Sequence, residues 1–507
     1  MPSENDLWKG VLMYLSNLYP KPEFIHETPN VRYSFGNRVN AHLVVPASDA
    51  AVLAPVLERM KVLWNNFCKT ASTLEIQVET SSKQGYRFAL GTFASESAEI
   101  PSHYEILADD RGILLTAVDT TALMNGFTTL VQLICPVNLD EGREEFYITG
   151  AKISDQTALG FRSVHICIFP DSALSTIEKA IHMAGFMKFT HIVLEFWGTL
   201  QYETIPELAW KGHSFTKKEI HTLVDLARSY GMEVIPMVNH FGHATQSRSC
   251  YGRHTILNAN PRRAKLFEPD GWTWCLSNPD TYKLLSDMRA ELIDLCGSGS
   301  YFHLGFDEAY SFATCDKCRK RVPAELLAEY INRLTEDLAV SGRRPIIWHD
   351  ELIRRDDFVN EIPDSVVANG QSHNTDTALA LLDRRVIIAD WQYEYRHTGI
   401  GGHINPTASY FQTMGFDTIL CPWDAMQNVR VLCEDAQILS AYGVMLTTWH
   451  HLPAYLPKFL NAGEYAWRAN GSYTNVPITE TAAILRTVYP TNGEYLCSGW
   501  NSFEVDG

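Results

Sequence analysis

The chain predicts an α/β protein: a (β/α)8 TIM barrel preceded by a smaller α+β domain. Three observations predict it. From about residue 158, short apolar runs alternate with helix-spaced runs about eight times over roughly 300 residues, the order of a parallel barrel. These runs are apolar along their length, as strands buried on both faces are. Before residue 158 the short runs alternate apolar and polar residues at period two, which marks half-buried strands of a different unit. A doubly wound open sheet is the competing architecture, and the number of units and the apolar strands favour the barrel. The boundaries read as 1–155 for the α+β domain, 156–460 for the barrel, and 461–507 for a C-terminal extension packing on it.

In the first unit, "NAHLVVPA", "TLEIQVET", "GYRFALGTF", "SHYEILADDRGILLTAVD" and "EEFYITGAKISD" read as strands. "DAAVLAPVLERMKVLWNNF" and "TTALMNGFTTLVQLI" read as helices. The barrel begins with strand "GFRSVHICIF", helix "SALSTIEKAIHMAGFMKF" and strand "THIVLEFW". Helix "TKKEIHTLVDLARSYG" follows, with Gly231 as its C-terminal cap. Strand "MEVIPMVN", helix "TYKLLSDMRAELIDLCG", strand "YFHLGFDE", helix "PAELLAEYINRLTEDLAVSG" and strand "RPIIWHDE" come next. "SVVANGQ", "RVIIADWQY", "DTILCPWD" and "YGVMLTTWH" read as further strands, with "TALALLDR" and "CEDAQILSAYG" as helices among them.

The bulk numbers narrow the function. Hydrophobic residues make 46% of the 507 and charged residues 20%, which is enough apolar surface for a large core. The net charge of −17 disfavours nucleic acid as a partner and is compatible with a neutral small molecule. The first residues, "MPSENDLWKGVLMYLSNLYPKPEF", carry no signal-peptide pattern, and no apolar run suits a bilayer, so no membrane partner is expected. With scattered, odd-numbered cysteines, 11 in all, the expectation is a cytoplasmic protein with reduced thiols. A homodimer is left open.

Barrel sites are built at the C-terminal ends of the strands. Those ends deliver Glu195–Trp197, Asn239, His240 and His243, Asp307–Glu308, Trp348–Asp350, Trp391–Tyr393, Trp423–Asp424 and Trp449–His451, with Arg162 earlier in the first strand. Tryptophans around a carboxylate pair suit carbohydrate chemistry. The segment "HLGFDE" resembles the His-x-Gly-Gly-Asp-Glu signature of glycoside hydrolase family 20, the β-N-acetylhexosaminidases. "GFRSVHI", "VIPMVNHFGHA", "IIWHDE", "ADWQY" and "LTTWHHL" are similar to other family segments, in the family's order, and the likeness covers about residues 80–455.

The resemblance implies retaining, substrate-assisted hydrolysis of terminal β-linked N-acetylglucosamine or N-acetylgalactosamine, without cofactor or metal, the substrate being a small N-acetylhexosaminide. Glu308 is then the acid/base and Asp307 the partner of the acetamide, two side chains expected on opposite faces of one strand. Arg162 is expected to hold ring hydroxyls. Trp348, Trp391 and Trp449 enclose the acetamide and the ring, and His243 supports the acid or the sugar. "CPWDAMQN" lacks the family's acetamide-binding Tyr, so Tyr393 is its substitute candidate, and Asp424 is a hydroxyl-binding candidate. The signature's second Gly is Phe306 here, and His451 replaces an expected Glu. Rival readings are a β-N-acetylgalactosaminidase of another substrate-assisted family, a non-catalytic carbohydrate-binding barrel, and a zinc protein built on "CDKC". Cys315 and Cys318 lack a second cysteine pair in the sequence; His303 or a distant Cys could complete a metal site, and the motif reads sooner as a reduced loop pair.

Overall fold

The computed structural model describes residues 18–50, 53–95, 99–138, 144–244, 255–362, 366–395, 405–449, 452–468 and 478–490. The N-terminal unit is a sheet of β1 (Phe24–Phe35), β2 (Arg38–Pro46), β3 (Thr73–Ser81), β4 (Tyr86–Gly91), β5 (Tyr104–Asp109), β6 (Gly112–Ala117), β7 (Ile134–Asn138) and β8 (Glu144–Asp155). Their order is β1-β8-β5-β6-β4-β2-β3, with β7 also on β8. Helices Ala54–Phe67 and Thr120–Gln132 belong to this unit, and the first also packs on the barrel helix Lys217–Ser229. Local chemistry sets these boundaries: Asp119 caps the second helix through Ala122 N, and Thr216 with Glu219 forms a reciprocal capping box on the barrel helix.

The second unit closes on itself. Strands β9 (Phe161–Cys167), β10 (His191–Glu195), β11 (Glu233–Met237), β12 (Tyr301–His303), β13 (Arg344–Trp348), β14 (Ile387–Asp390), β15 (Asp417–Leu420) and β16 (Gly443–Thr448) form a parallel barrel in which β16 pairs with β9. Helix Leu456–Trp467 follows β16 and packs on helices Leu174–Phe186 and Met426–Ile438, so the boundary read at 460 falls inside a helix of the barrel layer. Helix Ile478–Val488 packs on Leu174–Phe186 and on Ala54–Phe67, touching both units.

Two elements differ from the sequence reading. "SVVANGQ" is not a strand in its described part, residues 366–371. Its polar groups go elsewhere: Asn369 N and Nδ2 donate to Asp350, and Val367 N donates to Gln392 Oε1. "TALALLDR" forms only a 3-10 stretch, Asp376–Leu381, so the layer between β13 and β14 lacks an α-helix among the described residues.

Arg162 is the clearest correction. It is the second residue of β9 and sits at the strand's N-terminal end, away from the rim where Cys167 and Phe169 emerge. Nε and Nη2 donate to Lys188 O at 3.1 and 2.7 Å, and Nη1 donates to Thr157 Oγ1 at 3.1 Å and to Leu159 O. Burial holds the guanidinium down to about 9. All three donor nitrogens are engaged with protein oxygens between the two units, so no ring hydroxyl is bound from here. The same junction holds Lys188, whose Nζ donates to Tyr104 Oη at 2.8 Å and to Asp155 Oδ2 at 3.2 Å. Trp467 Nε1 donates to Asp155 Oδ1 at 3.0 Å, tying the last barrel helix to β8.

Candidate active site

The Asp-Glu pair does not lie on a strand. β12 ends at His303, and the chain then turns through positive φ at Gly305 (73°), Phe306 (79°) and Glu308 (50°). A Cβ on Gly305 would collide with Asn239 Oδ1, and one on Gly242 would collide with Asp307 O. Those two glycines let the loops after β11 and β12 close on each other. Phe306 holds a left-handed conformation that costs about 1–2 kcal/mol for a residue with a side chain. Its ring is buried against Phe241 and Tyr330, outside the barrel, so this bulky replacement of the signature glycine fills the barrel–helix layer.

The irregular backbone overturns the expectation that the two acids point apart from a strand. Both reach the same atom: His243 Nε2 is 3.2 Å from Asp307 Oδ2 and 3.1 Å from Glu308 Oε2. They differ in depth instead. Asp307 is buried, and its Oδ1 makes no hydrogen bond to a protein group. Glu308 keeps 30% of its side-chain exposure and lies at the rim. His243 is itself in a left-handed conformation, stacked on Trp197 at 5.7 Å and tilted against Trp272 at 4.5 Å. Burial opposes its charge, but the Asp307 and Glu308 carboxylates outweigh burial and hold the imidazole up at about 10. Burial pushes Asp307 up from the usual carboxylate range, and His243 pulls it back.

The loop after β13 fixes the pair from behind. Asp350 is fully buried; its Oδ2 accepts from Glu308 N at 3.0 Å and its Oδ1 from Trp391 Nε1 at 3.2 Å. Glu351 Oε1 accepts from Ala309 N at 2.9 Å. Burial, with Asp307 near by, raises Asp350 to about 6, and burial with Asp350 raises Glu351 to about 8. One acid loop thus seats the other through backbone N–H groups.

The aromatic residues come together as walls. Trp348 is buried, 4.4 Å from His303 and 6.1 Å from Trp449 in ring centroids. The Tyr393 ring lies 5.1 Å from both Trp391 and Trp423, and its Oη accepts from Trp449 Nε1 at 2.8 Å. Thr447 Oγ1 is 3.1 Å from the same oxygen. Glu195 lies beneath, buried with His165 Nε2 at 2.9 Å and Asn239 Nδ2 at 2.8 Å. His240 faces away from the pocket: its ring bonds Val238 O and Arg289 Nη1. Asp424 is exposed and ion-paired with Lys458 in the first turn of helix Leu456–Trp467. His451 lies outside the described residues.

Sequence reasoning missed Trp272 and Tyr310. Trp272 Nε1 donates to Glu308 O at 2.6 Å, and the Tyr310 hydroxyl interacts with the Glu308 carboxylate, which together with burial raises the phenol. The two rings stack at 6.3 Å. Trp272 comes from a long loop with no strand end to flag it; Tyr310, two residues past Glu308, carried a signal of proximity only.

A second constellation lies on the same two loops. "CDKC" acquires two further donors from the fold: Cys275 and Glu268 converge on Cys315 and Cys318, with the four ligand atoms within 4.8 Å of one another. The absence of a second cysteine pair in the sequence therefore does not leave the motif without partners.

The His243 clamp gives a pH prediction. Its folded pKa, about 10, stands above the ordinary 6.5, so its stabilisation is complete below pH 6.5 and fades as pH rises to 10. Urea midpoints of the wild type are expected to fall across that window. His243→Gln is expected to flatten the fall, and equal slopes in the two proteins would contradict the clamp.

Residues 193–468 match the sequence model described as Glycosyl hydrolase family 20, catalytic domain. Among curated relatives, the beta-hexosaminidase of Porphyromonas gingivalis is 23% identical over 282 residues, which cover 49% of this chain and 36% of that protein. The chain thus spans well under two thirds of that relative. Among solved structures, Flavobacterium johnsoniae chitobiase superposes with a TM-score of 0.66 at 17% identity, covering 93% of this chain and 72% of that one. Streptomyces plicatus N-acetyl-beta-hexosaminidase, solved with thio-NAglucal, gives 0.61 at 16% identity, covering 94% of each chain. The structural likenesses carry the fold, and the family match spans more than half of the chain and includes both acids, so this chain belongs to glycosyl hydrolase family 20.

Proposed function

We propose that the chain is an exo-acting β-N-acetylhexosaminidase that releases terminal β-linked N-acetylglucosamine or N-acetylgalactosamine with retention, using the substrate's own acetamide as nucleophile. The carrying observation is the difference in depth between two adjacent carboxylates. Asp307 Oδ1 is buried beneath the rim with a free acceptor site, suited to the acetamide N–H. Glu308 stands at the more open edge, suited to protonate the leaving oxygen. As the acetamide oxygen attacks C1, the C1–leaving-group bond breaks and Glu308 gives its proton to the departing oxygen. Asp307 meets the positive charge that develops on nitrogen. Water, deprotonated by Glu308, then opens the oxazolinium ring at C1.

Tryptophans 348, 391 and 449 supply an apolar enclosure in which these charges act with little water. Tyr393 is suited to donate to the attacking acetamide oxygen, because Trp449 Nε1 occupies an acceptor site on Oη and holds the ring in place. Tyr393→Phe is expected to lower kcat about 10²-fold, the scale for losing one donor to a developing charge, with little change in KM. A KM effect alone, measured on an aryl N-acetylglucosaminide, would place Tyr393 outside the reaction. The proposal itself is tested with a thiazoline analogue of the bicyclic intermediate. Competitive inhibition at concentrations far below KM supports acetamide participation; absence of inhibition in an active enzyme contradicts it.

A further inference from the structure

We infer that Cys275, Cys315, Cys318 and Glu268 form a tetrahedral site for one divalent zinc ion that locks the catalytic loop to the loop carrying Trp272. The Sγ atoms of Cys275 and Cys315 lie 3.5 Å apart, and those of Cys275 and Cys318 lie 3.6 Å apart. Zinc–sulfur bonds of about 2.3 Å at tetrahedral angles put sulfurs roughly 3.8 Å apart, close to what is found. A disulfide would need about 2.05 Å. All three cysteines are free thiols, and Cys275 and Cys318 are fully buried.

The fourth donor is the independent observation. Glu268 is 1% exposed, and its Oε1 has no hydrogen-bond partner. Its other oxygen accepts from Thr314 N at 3.0 Å and Cys315 N at 2.6 Å, which aims the carboxylate at the cysteines. This buried acid stands beside two buried thiols and the half-buried Cys315 thiol, with no ion pair to a cationic side chain among the described residues, and a dication is the group that would let these donors ionise together. The surroundings are those of a held metal: Cys318 N donates to Cys315 Sγ at 3.3 Å, and Cys318 Sγ lies 3.3 Å from Ser277 Oγ. Soft sulfur ligands with one carboxylate favour zinc over magnesium or calcium. Binding expels three thiol protons to solvent.

The site would act through position. Glu268 and Cys275 bracket Trp272, whose ring lies tilted against His243 and whose Nε1 donates to Glu308 O; Cys315 and Cys318 follow Glu308 on its own loop. Ser311 Oγ already joins the loops through Asp270 Oδ1 at 2.5 Å and Thr273 Oγ1 at 3.1 Å.

The test is elemental analysis of the full chain, purified without chelator and desalted after incubation with zinc. About one zinc per chain is expected. The cobalt-substituted protein is expected to show thiolate-to-cobalt charge-transfer absorption with tetrahedral ligand-field bands. Cys315→Ser and Glu268→Gln are each expected to weaken zinc binding at least tenfold in competition with a chromogenic chelator. Should Cys315→Ser fail to fold, titration of wild-type thiols with a mercurial reports the site directly, zinc being released as the thiols react. Zinc well below stoichiometric with no cobalt–thiolate band, or a Cys275–Cys315 disulfide in the native protein, overturns the inference. Unchanged affinity in Glu268→Gln overturns the assignment of the fourth ligand.

Discussion

Glu308→Gln is expected to lower kcat/KM on an aryl β-N-acetylglucosaminide by about 10²–10⁴-fold, the usual contribution of a positioned general acid. The substitution preserves shape, and the residue's backbone bonds, N to Asp350 Oδ2 at 3.0 Å and O from Trp272 Nε1 at 2.6 Å, are untouched. Fold and binding are therefore expected to persist while the proton is lost. The loss is expected to shrink with an activated leaving group such as dinitrophenolate, which departs without a proton. Asp307→Asn is expected to give the contrasting pattern, a loss that is similar for good and poor leaving groups, because the role proposed for Asp307 is in ring closure. Matching leaving-group dependence in the two variants would contradict the assignment of separate jobs.

Asp155→Ala is expected to cost about 3–5 kcal/mol of unfolding free energy, the scale for leaving a buried charge without its partner. Asp155 accepts from Lys188 Nζ, Trp467 Nε1, Tyr104 Oη and Glu23 N, and the Lys188 and Asp155 side chains are fully buried. Burial lowers the Lys188 pKa and Asp155 raises it back, so removing the carboxylate leaves an ammonium that must either deprotonate or drag water inward. Asp155→Asn keeps an acceptor and is expected to lose less. Urea unfolding of the three proteins at one pH measures this; a loss below about 1 kcal/mol in Asp155→Ala would show the junction to be dispensable.

The barrel was legible because its strands are buried on both faces and its helices carry caps and periodic apolar faces. β1 and β7 escaped notice; β1 is half-exposed along its length, and its ladder with β8 breaks between Thr28 and Arg32. The acids were legible as a motif but not as geometry. A strand rule placed Asp307 and Glu308 on opposite faces, whereas three positive-φ residues in the turn bring both carboxylates to His243. The role expected of Arg162 came from the resemblance and not from its place early in the strand, and the fold instead commits its guanidinium to Lys188 O, Leu159 O and Thr157 Oγ1. Its position in β9 was decided by register with β10 and β16. Trp272, Glu268 and Cys275 were invisible for a related reason: they lie on a loop without periodicity, and only tertiary closure sets them against residues 307–318.

The most direct test of the central claim is release of 4-nitrophenol from its β-N-acetylglucosaminide, β-N-acetylgalactosaminide and plain β-glucoside by the wild-type protein. Turnover of an N-acetyl sugar with none of the glucoside is the predicted result, since in the proposed mechanism the nucleophile is the substrate's acetamide and neither Asp307 nor Glu308 attacks C1. Hydrolysis of the glucoside at a comparable rate would contradict it and require a carboxylate nucleophile elsewhere on the rim.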